Sequence, residues 1–159
     1  MPARSWIPSA NNESTHFPLQ NLPYGVFRRP GEKGRCCVAI GDQVLDLAAL
    51  ERARLFTLEA EDVFDQSALN TFMALGAEAW TMVRDQLTSL LAEDGHRALR
   101  DNAELRHSAF VPQCAVEVLM PFKVSGYTDF YAGRNHAVNV GTMFRGPENA
   151  LSPNWLHMP

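Results

Sequence analysis

Short apolar–polar alternations come first along the chain, and helical repeats follow. "YGVF" (24–27) mixes aromatic and β-branched residues in a short run, as a strand does. "CCVAIGDQVLDL" (36–47) reads as two strands joined by Gly41-Asp42, a pair suited to a two-residue hairpin turn. The intervening "RRPGEKGR" is a polar turn. Helical periods then take over. Asp46 is placed to cap "LAALERARLF", and Ser67 to open "ALNTFMALG", which Gly76 ends. The strongest repeat sets Trp80, Val83, Leu87, Leu90 and Leu91 on one face of "AEAWTMVRDQLTSLLAED", with Asp85, Gln86, Glu93 and Asp94 turned away. "HRALRDNAELRH" (96–107) reads as a further, more polar helix. Pro112 and Pro121 bracket the extended "QCAVEVLM".

These elements predict an α+β chain in three parts. Residues 1–20 form an irregular leader, 21–118 a β-plus-helix domain, and 119–159 the beginning of something else. The last part reads as incomplete. "PENALSPNWLHMP" carries Trp155, Leu156 and Met158 to the end of the chain without a closing polar tail, and a fragment is expected.

Composition narrows the function. With 46% hydrophobic and 20% charged residues, the 159-residue chain can bury a core. A formal charge of −4 argues against broad binding to nucleic acid or an anionic membrane, which needs a positive face. No run is long and apolar enough to span a bilayer, and no signal peptide is evident. Cys36, Cys37 and Cys114 have neither zinc nor thioredoxin spacing and make a poor disulfide framework. They read as buried small hydrophobes in a reducing, cytoplasmic compartment.

The candidate chemistry is concentrated in "YTDFYAGRNH" (127–136). Asp129 reads either as an oxygen ligand for a hard divalent cation or as the cap of a helix starting near Gly133; alone, the cap is favoured. That helix would turn Ala137, Val140 and Phe144 inward, with Phe130 as a core anchor before it. His136 reads as a general base or as a histidine satisfied by a backbone carbonyl. Tyr127 and Tyr131 are packing aromatics or phenol donors to a substrate oxygen. Arg145, and equally Arg134, could clamp a carboxylate or simply complete a helix end.

The chain resembles the fumarylacetoacetase family. "LPYGVF" (22–27), "VAIGDQVLDL" (38–47), "LNTFMALG" (69–76) with Trp80 and "ALRDNAELR" (98–106) carry the resemblance. It is densest in "YTDFYAGRNHAVNVGTMFR" (127–145) and "ENALSPNWLHMP" (148–159). The resemblance implies a small SH3-like barrel with attached helices, followed by the start of a β-rich roll catalytic domain. It implies a hydrolase acting on a carbon–carbon bond in a ketonic substrate. The reaction would be metal-dependent cleavage of 4-fumarylacetoacetate to fumarate and acetoacetate in tyrosine and phenylalanine catabolism. Residue by residue, it makes Asp129 a ligand to Mg²⁺ or Ca²⁺, Tyr131 and Arg145 substrate contacts, and His136 the base that activates water. It implies a homodimer for the full-length protein. The family's other metal ligands have no counterpart here, so this chain alone is expected to be inactive. Two alternatives stay open: a free-standing SH3-like binding module, or a related hydrolase acting on another keto acid.

Overall fold

The computed structural model describes residues 3–157. It divides into two compact units, one ending at Lys123 and one beginning at Val124. The first is built on a five-stranded antiparallel sheet. Its strands are β1 (Tyr24–Arg28), β2 (Arg35–Ile40), β3 (Gln43–Asp46), β4 (Phe110–Pro112) and β5 (Glu117–Leu119), in the order β4-β3-β2-β1-β5.

Chain length forces this sheet to curl. β4 and β5 are its two outer strands, yet only Gln113–Val116 separate them in sequence. A chain that short reaches roughly 17 Å when extended. The outer strands of a flat five-stranded sheet lie about 19 Å apart. The link is moreover coiled into a 3₁₀ turn at Gln113–Ala115. The sheet therefore bends into a half-barrel, in keeping with the small barrel that the family resemblance implies.

Alternation assigns the two faces. Val26, Cys36, Val38 and Leu45 point into the main core, while Phe27, Cys37 and Val44 line a smaller cluster with Val111 and Val116 on the other side. Gly41 makes the β2–β3 turn at φ +56, as expected of the hairpin. The helices cover the main core. α1 (Leu47–Arg52) buries Leu47 and Leu50, α2 (Asn70–Met73) buries Phe72, and α3 (Ala77–Leu91) buries Val83, Leu87, Leu90 and Leu91. α4 (Ala103–Ala109) leads into β4.

Several elements differ from the sequence expectation. α1 stops at Arg52, short of Phe56. Leu55 N–H bonds to Leu50 O and Arg54 N–H to Glu51 O, the paired bonds of a Schellman ending, with Arg54 at φ +56 where glycine is usual. Ser67 caps nothing. α2 starts at Asn70, where Leu69 N–H bonds to Pro121 O and the Asn70 side chain exchanges hydrogen bonds with the Lys123 backbone. The helix expected over 96–107 begins only at Ala103, because Asn102 caps it through Leu105 N–H at 3.0 Å. Trp80 stays 43% exposed, its indole N–H donating to Phe72 O.

Residues 3–20 are largely irregular in backbone yet anchored. Ile7, Ala10, Leu19 and Ser5 are buried, and Ser5 Oγ donates to Leu91 O at 2.7 Å. Trp6 packs edge-on against Phe110 and donates to Leu90 O. Ser9 Oγ donates to Asp42 Oδ1 at the hairpin tip.

Candidate functional site

The dense polar cluster lies in the second unit, on an irregular stretch and one helix, α5 (Arg134–Arg145). Gly133 is the N-cap of α5 and no side chain caps the helix, so Asp129 is not its cap. Instead Asp129 Oδ1 accepts from Tyr131 N–H at 2.8 Å, the local closure typical of an Asx turn. Its other oxygen has no hydrogen-bond partner among the described residues, and the side chain is exposed.

Tyr131 is the hub. Its φ is +54, a left-handed conformation that costs a non-glycine residue about 1–2 kcal/mol. Its hydroxyl donates to Ala137 O at 3.3 Å, and its ring meets the His136 imidazole edge-on at 5.5 Å. Its carbonyl accepts from Trp155 Nε1 at 3.0 Å. Asp129, Tyr131 and His136 are thus drawn together within one turn and the first residues of a helix.

Arg145 is not drawn to them. It lies nine residues after His136, about 13 Å further along the helix and on the opposite face. Its Nε donates to Asn149 O at 3.1 Å and its Nη2 to Ala150 O at 2.7 Å, which folds the 3₁₀ turn at Pro147–Asn149 back over α5. Gly141 makes room for that crossing: a Cβ there would lie 1.8 Å from Ala150 O. The buried positions of α5 are accordingly small, Ala137 and Gly141. Phe144 and Phe130, expected to point inward, are 80% and 67% exposed. Phe144 cannot occupy the α5 face that the returning chain crosses, and Phe130 lies before the helix, in the irregular stretch. Tyr127 is also exposed, and Val140 is half-buried.

The donor set is too small for a hard cation. Mg²⁺ and Ca²⁺ take about six or more oxygen ligands. Among the described residues no three His, Cys, Asp or Glu side chains gather into a metal-binding group. Asp129 is right in kind and insufficient in number.

Trp155, read only as an apolar residue of the final segment, and Gly141 are the two positions to which the sequence reading gave no role at this cluster. Trp155 stands in "SPNWL", and a tryptophan flanked by turn residues is the kind of amphipathic side chain that bonds through its N–H.

Among the described residues no helix is long and apolar enough to cross a membrane. A curled antiparallel half-barrel with helices on its main-core face, continued by a helix-bearing polar segment, defines an α+β protein of the small-barrel class. The model of the fumarylacetoacetase N-terminal family matches residues 20–121. The chain belongs to the fumarylacetoacetase family. It is 51% identical over 160 residues to the fumarylacetoacetase of Mus musculus, 49% to that of Homo sapiens and 47% over 149 residues to that of Arabidopsis thaliana. These alignments cover 98%, 98% and 91% of this chain but 37%, 37% and 35% of the relatives. The chain therefore spans little more than a third of their length.

Proposed function

We propose that this chain is the leading part of a fumarylacetoacetase, a cytoplasmic homodimeric hydrolase that cleaves 4-fumarylacetoacetate to fumarate and acetoacetate. Residues 21–118 would be its N-terminal domain and 119–159 the start of its catalytic domain. The observation that carries this reading is the extent of the identity. It does not stop at residue 121, where the N-terminal family match ends, but continues through the segment holding Asp129, Tyr131, His136 and Arg145.

In this reading His136 takes the proton of the attacking water, a role for which an exposed imidazole beside a phenol is suited. Tyr131 lends ring and backbone to hold that imidazole and contacts the substrate. Arg145 binds a substrate carboxylate through the guanidinium N–H groups left over from its two carbonyl bonds. Asp129 offers one oxygen to Mg²⁺ or Ca²⁺. Among the described residues no further ligands gather beside it, so they do not by themselves make a site for such an ion.

The test is a turnover assay with 4-fumarylacetoacetate, following loss of substrate. This chain alone is expected to show none, with or without Mg²⁺ or Ca²⁺. The same chain joined to the remaining two-thirds of the Mus musculus relative is expected to turn over substrate. Metal-dependent turnover by the chain alone would contradict the reading, and so would a folded, inactive joined protein.

A further inference from the structure

Tyr131 holds a conformation that its own side chain disfavours, and the bonds that fix it differ in reach. The bond from its N–H to Asp129 Oδ1 and the bond from its hydroxyl to Ala137 O both span a few residues. Such local bonds form equally well around several backbone conformations. The bond to its carbonyl comes from Trp155, 24 residues away, at 3.0 Å. Trp155 is itself seated. It is half-buried and opens the 3₁₀ turn Trp155–His157, with its backbone N–H bonded to Ser152 O.

We propose that Trp155 is a positioning residue of the candidate site: its indole N–H, bonded to the Tyr131 carbonyl, holds Tyr131 in the left-handed conformation that keeps its ring against His136. The two peptide groups flanking Tyr131 are gripped from opposite sides. Asp129 holds the N–H and Trp155 holds the C=O, so both backbone torsions are set. A net hydrogen bond is of the same order as the strain of a left-handed tyrosine, so losing one grip is enough to release it. Once released, Tyr131 returns to negative φ. Its ring leaves the edge of His136. The catalytic meaning of this brace rests on the function proposed above; the brace itself does not.

The test uses the whole 159-residue chain and NMR. A residue at positive φ has its amide and α protons unusually close and gives a strong intraresidue amide–α cross-peak. Wild-type Tyr131 is expected to show that peak. Trp155→Phe, which keeps a ring and removes the donor, is expected to lose it, together with the ring-current shift that Tyr131 imposes on the His136 imidazole protons. Replacing Trp155 by benzothienylalanine, the same shape without N–H, is expected to do likewise. Replacement by 7-azatryptophan, which keeps the N–H, is expected to restore both signals. A merely space-filling Trp155 would not distinguish the last two. Should Trp155→Phe unfold α5, the benzothienylalanine and azatryptophan pair still decides. An unchanged Tyr131 signal without the N–H would overturn the proposal, whatever the enzyme assay finds.

Discussion

Asp46 shows how much one buried side chain holds in this chain. It is fully buried, caps α1 through Ala48 N–H and Ala49 N–H, and faces two guanidinium groups. Arg35 Nη1 lies 3.1 Å and Arg29 Nη1 3.9 Å from Oδ2. Neither aligns with Oδ2 as a hydrogen bond, so the pairing is ionic only. Burial outweighs these attractions and raises the carboxyl above its ordinary value. The sign of the pH effect follows. A raised folded-state pKa means that the native chain holds the proton more tightly than the unfolded chain. The contribution of Asp46 to stability is complete below the unfolded value near 3.8 and is lost as pH rises through the raised folded value. Asp46→Asn keeps a capping oxygen and cannot ionise. Relative to that variant, wild type is expected to gain stability in urea titrations as pH falls from 7 toward 4. A pH-independent difference would refute the assignment.

The thiols follow the same burial rule. Burial pushes Cys36 and Cys37 up to about 12, so neither is a thiolate at neutral pH. Cys114 is exposed. Ellman's reagent is expected to label one thiol per native chain and three after denaturation. Three fast-reacting thiols in the native protein would contradict the packing.

At the scale of elements, legibility tracked how local the signal was. The β2–β3 hairpin was legible because Gly41-Asp42 meets a purely local demand. α3 was legible except for the exposure of Trp80 and its end at Leu91, short of the expected Asp94, because its apolar stripe is long and periodic. The end of α1 was not, because Arg54 occupies the left-handed position that glycine usually advertises. The start of α2 was not, because it is set by bonds to Pro121 and Lys123, some fifty residues on. The hairpin tip is also a docking point. A Cβ on Gly41 would lie 2.2 Å from Ser9 Oγ and 2.7 Å from Ala10 N. Gly41→Ala therefore forces a left-handed alanine into the N-terminal segment. A loss of about 1–3 kcal/mol in chemical denaturation is expected. A loss within a few tenths of Gly31→Ala, where the same conformation meets open space, would show that the segment does not dock there.

At the scale of the molecule, the short strands and helical repeats made an α+β chain legible, the barrel was implied by the family resemblance, and its curl follows from the brevity of the β4–β5 link. The site was legible in its residue types and only partly in their placing. Asp129, Tyr131 and His136 adjoin because five to seven residues of turn and helix start connect them. Arg145 stands apart because helical geometry carries it to the other face, where carbonyls of the returning chain take up two of its N–H groups. The contact of Trp155 with Tyr131 was not legible because the two are distant in sequence. Met143 and Phe144 on α5, like Val118 and Met120 at and just beyond the outer strand β5, are exposed apolar side chains that no periodicity forecasts.

The central claim is that this chain carries the general base of a carbon–carbon hydrolase. His136→Ala, made in the chain joined to the rest of the Mus musculus relative, tests it most directly. The side chain is exposed, so the variant is expected to fold with unchanged stability. Its kcat is expected to fall by about 10²–10⁴-fold, the range for losing a positioned general base. A folded variant that keeps near-wild-type kcat would remove His136 from the chemistry, and the account of the site with it.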